Sequence, residues 1–135
     1  MASGKMDYFS QKLDDQVLAG VAYAFPTSID IGLYTATPSH TNGSGTEVSG
    51  GSYARLQETC NTTNFPSIAS GQVITNNVTF AFVTSTASWG TVTGVEVFEH
   101  GNNNGLYFGD LTANQAVNTN NIFQFTAGNF SLTET

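Results

Sequence analysis

Residues 28–36 read SIDIGLYTA, and in that stretch the apolar side chains fall on every second position. Along an extended chain Ile29, Ile31 and Leu33 point one way, and Asp30, Gly32 and Tyr34 the other. A strand with one face toward a core runs here. Upstream the period is different. In DYFSQKLDDQVLAGVAYAF (7–25), Phe9, Leu13 and Val17 recur every four residues, and Leu18 and Val21 widen the stripe. This predicts a helix over about residues 7–20, capped by Asp7 or Ser10 and ended by Gly20 before Pro26.

Downstream the two-residue period returns. SYARLQET (52–59) reads as a second strand, with Tyr53 and Arg55 on one face. VITNNVTFAFVT (73–84) offers one or two more, placing Val78, Phe80 and Phe82 together. GTVTGVEVFEH (90–100) sets Val95 and Val97 opposite Glu96 and Phe98. GLYFGDLT (105–112) sets Leu106, Phe108 and Asp110 opposite Tyr107, Gly109 and Leu111. NIFQFTA (121–127) and NFSLTE (129–134) follow, with Phe123 and Phe125 alternating against Ile122 and Gln124, then Phe130 and Leu132. Short strands divided by Gly/Asn/Ser clusters predict a mainly β fold. The expected form is an antiparallel β-sandwich, immunoglobulin-like or jelly-roll-like, with one N-terminal α-helix. Residues 1–26 form the arm and helix and residues 27–135 the sandwich, in a single domain overall.

Composition narrows the function. Charged residues are 10 % of the chain, but aromatics are 12 %, with ten Phe and five Tyr, so burial can offset the ordering entropy. Three basic residues, Lys5, Lys12 and Arg55, face ten acidic ones, for a net charge of −7. That charge offers no footprint for a phosphate backbone or an anionic bilayer, so neither nucleic acid nor membrane is an expected partner. No apolar run approaches the roughly 20 residues of a spanning helix. The segment from Met1 to Asp7 is not followed by an apolar stretch, so no secretory leader is expected.

GSGTEVSGGSYAR (43–55) is the one stretch that resembles a ligand-gripping loop. Its glycines match neither G-x-x-x-x-G-K-[ST] nor G-x-G-x-x-G, no lysine follows them, and the next element reads as a strand. The glycines are expected to turn the backbone. Catalytic signals are equally thin. Glu96 and Glu99 lie three apart on a strand and face opposite sides, which cannot set two carboxylates across one bond. Asp14 and Asp15 read as solvated helix surface. Cys60 is the single cysteine, and with His40 or His100 it makes the only nominal Cys/His set; a buried or half-buried structural role is expected for it. No G-x-S-x-G elbow and no metal-ligand spacing occurs. The chain is therefore expected to lack catalytic, cofactor and metal residues. A small hydrolase using Cys60, His40 or a carboxylate ranks last. Trp89 reads as a core plug closing one end of the fold rather than an exposed sugar platform. Arg55 either pairs with an acidic partner or buries its stem.

At this point the residues resemble a family. IDIGLYTATPSHTNGSGTEVSGGSYARL (29–56) is similar to a segment of small structural proteins of tailed bacteriophages. The helix FSQKLDDQVLAG (9–20), WGTVT (89–93) and TANQAVNTNNIFQFTAGNFSLT (112–133) extend the likeness over nearly the whole chain, and Gly45 to Arg55 is its most specific part. The turn HGNNNGLYFG (100–109) departs from the Asp- and Ala-rich turn expected there, and marks a surface particular to this chain. The resemblance implies a virion protein without catalysis, made in the host cytoplasm. It implies first a head decoration (cement) protein on the capsid surface, which bridges major capsid protein subunits as a dimer or trimer. The alternative is a tail-appendage or fibre-associated protein with receptor- or carbohydrate-binding loops, HGNNNG among them. Phe9, Leu13, Tyr53 and Arg55 are the residues expected at an interface.

Overall fold

The computed structural model of the chain describes residues 3–67 and 73–133, and in it SIDIGLYTA is the axis of the main sheet. The elements in chain order are β1 (Ser3–Lys5), α1 (Asp7–Asp14), β2 (Ser28–Ala36), β3 (Thr46–Glu47), β4 (Leu56–Thr59), β5 (Val73–Thr75), β6 (Phe80–Ala81), β7 (Gly90–Glu99), β8 (Gly105–Val117), β9 (Gln124–Phe125) and β10 (Ser131–Thr133). The fold is mainly β and every strand pair is antiparallel.

Six strands make one sheet in the order β1-β8-β7-β2, after which the outer edge of β2 is shared. Its first half pairs with β4, Ser28 opposite Thr59 to Ile31 opposite Leu56. Its second half pairs with β3, Tyr34 opposite Glu47 and Ala36 opposite Thr46, across a bulge. Between these partners stands Leu33. Its carbonyl accepts from Val48 N, and its N–H donates to the Tyr53 hydroxyl at 2.9 Å. A side chain thus completes the ladder where no strand does, as a buried backbone donor requires.

One face of this sheet carries Ile29, Ile31, Leu33, Val95 and Val97, as the alternation predicts. Against it lie two two-stranded ribbons, β10-β5 and β6-β9, which deliver Phe80, Phe82, Phe123, Phe125, Phe130 and Leu132 to the same core. The second layer is these ribbons, not one continuous sheet. Their phenylalanines meet edge to face, with Phe123–Phe125 at 5.1 Å and Phe125–Phe130 at 5.2 Å between ring centres. Asn76, buried among them, ties the ribbons together. Its Nδ2 donates to Val78 O, Phe125 O and Thr126 O, and its Oδ1 accepts from Phe130 N. Trp89 is buried in this core and donates Nε1–H to Gly51 O, so the core-plug expectation holds.

The helix is where the sequence reading needs most correction. α1 is continued by one wide π turn, Asp15–Ala19, and ends at Gly20 in the left-handed region, as expected. Met6 occupies the N-cap position with no side-chain cap, so neither Asp7 nor Ser10 caps the helix. The apolar stripe also divides. Phe9 is buried against Tyr107 and Leu13 is half-buried, but Val17, Leu18 and Val21 are exposed. The π turn changes the angular step per residue, which carries the later positions off the Phe9 line. SYARLQET is corrected too. Gly50, Gly51 and Ser52 all have positive φ, so the chain is still turning there and the strand begins at Leu56. Cys60, expected buried or half-buried, is exposed.

Candidate binding face

The other face of the main sheet presents Asp30, Gly32, Tyr34, Glu96 and Phe98, and it is covered by the chain between β2 and β4. The segment Gly45 to Arg55 turns back on itself here and brings three side chains together. Arg55 grips Glu47 with two parallel bonds, Nε to Oε2 at 2.9 Å and Nη2 to Oε1 at 2.8 Å. The Tyr53 hydroxyl donates to the same Oε2 at 2.7 Å while accepting from Leu33 N. The guanidinium lies 3.6 Å from the centre of the Phe98 ring, and its Nη1 donates to Asn102 O. Stacked and bidentate, this arginine is fixed in a way a lysine could not be. The Glu47 hydrogen bonds hold the guanidinium pKa above its usual value. Burial, then Glu47, holds the Tyr53 phenol well above its usual range.

Beside this group lies Glu96, only 1 % exposed, and its Oε1 has no hydrogen-bond partner among the described residues. Burial pushes its carboxyl pKa up to about 7, opposed by Arg55 and assisted by Glu47. Two strand glycines make room for the acids. A Cβ on Gly32 would stand 2.9 Å from Glu47 Oε2, and one on Gly105 would stand 2.9 Å from Glu96 Oε2. The tip Gly43–Gly45 borders the resulting pocket of about 280 Å³, together with Asn103. Gly43 and Gly45 both have positive φ, so the glycines do turn the backbone, and their turn forms a rim.

The hairpin between β7 and β8 continues this surface to the end of the sheet. Glu99 emerges on the opposite face from Glu96, as the spacing predicts, and meets the helix side. Its Oε1 accepts from the Tyr8 and Tyr23 hydroxyls at 2.8 and 2.7 Å, and its Oε2 accepts from Asn102 and Asn104. Burial alone would raise its pKa, but these hydrogen bonds, Tyr23 foremost, lower it. On the hairpin His100 places Nδ1 2.8 Å from Asp30 Oδ1, and Asp30 Oδ2 accepts from Gly101 N. Glu99, His100 and Asn102 border a cleft of about 320 Å³ whose far wall is residues 24–28, including Phe25.

Of the residues expected at an interface, Tyr53 and Arg55 come together on this face, though through a turn and not along a strand. Phe9 and Leu13 are elsewhere and pack toward the core cluster. Cys60 adjoins an apolar wall that includes Ile29 and Phe65, and burial pushes its thiol pKa up, opposite to what a nucleophile needs. His40 binds Lys5 O through Nδ1 and stacks edge-on to Phe108. Sequence reasoning missed the Glu47 and Glu96 pocket and the Asp30–His100 pair. The available signal was glycine inside a strand, at positions 32 and 105, which marks a close approach by another group.

Over residues 4–133 the chain matches the family model described as podophage GP4 fiber I protein gp80. No curated protein matches the chain.

Proposed function

The chain belongs to the podophage GP4 fiber I protein gp80 family, a family of tailed-phage virion structural proteins, and from that premise we propose that it is a non-enzymatic subunit of a tail appendage. The match over residues 4–133 carries this reading, and the fibre description supports it over decoration of the capsid surface. A domain of this length has a radius of gyration of about 14 Å. A unit of this size joins an appendage through contacts on its surface.

The stripe beyond α1 supplies such a contact. Val17, Leu18 and Val21 are 75 %, 83 % and 55 % exposed, an apolar group that a monomer gains nothing by showing to water. Its occupant is a second copy of this chain. Copies that each carry −7 repel one another, so burying these uncharged side chains against each other has to exceed that repulsion, and the association should strengthen as added salt screens it. Replacing Val17 and Leu18 together by serine is expected to convert the oligomer to monomer in light scattering, with little effect on folding.

Location is tested by immunogold labelling of purified particles with antibody to this chain. Label on the tail is the expected result. Label spread over the head would overturn the reading and restore capsid decoration.

A further inference from the structure

We propose that the pocket under the Gly43–Gly45 rim takes a lysine side chain from a basic partner protein, with its ammonium group on Glu96. The inference stands on the pocket itself, and it goes beyond the appendage reading without depending on it.

Glu96 carries the argument. It lines the pocket, it is 1 % exposed, and its Oε1 meets no donor among the described residues. A carboxylate held out of water without a donor is costly, and a donor brought from outside the chain relieves that cost. The neighbouring groups cannot supply it. Arg55 directs Nε and Nη2 to Glu47 and Nη1 to Asn102 O. Tyr53 gives its one hydroxyl proton to Glu47 as well. Glu47 and Glu96 line the same pocket, but the cation of this chain serves the first acid and leaves the second.

What completes the pocket is one positive charge, carrying N–H donors, on a stem narrow enough to pass the rim. A Cβ on Gly43 would meet nothing within 4 Å, so the rim is open at that point. The rings of Tyr34 and Phe98 belong to the wall and suit an alkyl stem that ends in a compact ammonium. Other classes fit less well. An anion meets an acid that has no counter-charge of its own. A divalent metal ion calls for about six oxygen ligands, and no group of three or more His, Cys, Asp or Glu gathers among the described residues. The place for a guanidinium against Phe98 is already filled by Arg55, at 3.6 Å. A free polyamine would set one charge on Glu96 and hold its others near Arg55, whereas a lysine brings a single charge. The net charge of −7 makes a basic surface the complementary one.

The test is a titration of the isotope-labelled full chain with Nα-acetyl-lysine N-methylamide, followed by backbone amide shifts. It is run near pH 8, above the value of about 7 to which burial raises Glu96, and in about 0.15 M salt to screen long-range attraction. The amides of Gly43, Ser44, Glu96 and Asn103 are expected to shift in a saturable way. The same compound acetylated on its side-chain nitrogen should leave them unmoved. Glu96→Gln keeps the shape and removes the charge, and should weaken the binding about tenfold with the other amides in place. Asn103→Lys, at an exposed position on the rim, offers Glu96 an ammonium from within the chain and should weaken it similarly. The inference is overturned if the lysine compound moves none of those amides, if its acetylated form binds as well, or if both variants bind as the parent does. Shifts with calcium or spermidine but not with the lysine compound would overturn it too, in favour of a metal ion or a free polyamine. Label on the head instead of the tail would sink the appendage reading and leave this inference standing.

Discussion

Two side chains buried on opposite sides of one sheet, Asn76 and Glu96, show how differently its faces are built. Asn76, 2 % exposed beneath the ribbons, has three acceptors for its amide and a donor for its oxygen, all from this chain. Glu96 is equally buried, yet one oxygen meets no donor among the described residues, and its neighbours are Arg55 and Glu47, which already satisfy each other. The ribbon face is complete in itself and holds the fold together. The opposite face keeps a polar group at a cost, which is characteristic of a surface shaped by something other than stability.

That contrast can be broken at graded cost. Phe130→Ala opens the ribbon core where Phe130 meets Phe80 and Phe125, and should lose about 3–5 kcal/mol in chemical denaturation. Asn76→Ala strands the Phe130 N–H and several carbonyls and should lose about 2–3 kcal/mol, with both ribbons loosening together in amide hydrogen exchange. Arg55→Ala removes a half-buried pair on the other face and should lose only about 1 kcal/mol, because solvent screens it and Tyr53 still donates to Glu47. If Arg55→Ala proved as damaging as Phe130→Ala, the division of labour between the faces would be wrong.

The ribbon face was legible in the sequence because its signal is local. Ile29, Ile31 and Leu33, Val95 and Val97, and Phe123 and Phe125 each alternate along one short stretch of chain, and burial follows alternation directly. The polar face was not legible, because Glu47, Arg55 and Glu96 meet only through long-range register and a run of three left-handed residues, Gly50 to Ser52. The most specific block of the family resemblance, Gly45 to Arg55, proves to be the segment that builds that face. Apolar periodicity also overstated what α1 buries. A stripe at helical spacing says that Val17 and Leu18 need a partner, and does not say that the partner lies in the same chain.

The most direct test of this account is stability against pH for the parent and for Glu96→Gln. An acid whose folded-state pKa stands above its unfolded value keeps its proton in the native state after the unfolded chain has released it, so stability is lost as pH rises. For Glu96, raised from 4.5 to about 7 beside Glu47, Arg55 and Tyr34, the loss across that window is about 3 kcal/mol. The parent is expected to lose stability relative to Glu96→Gln by about that amount between pH 4.5 and pH 7. Curves that run parallel through the window would show that Glu96 is already at ease in the fold, and that the polar face carries no stored cost.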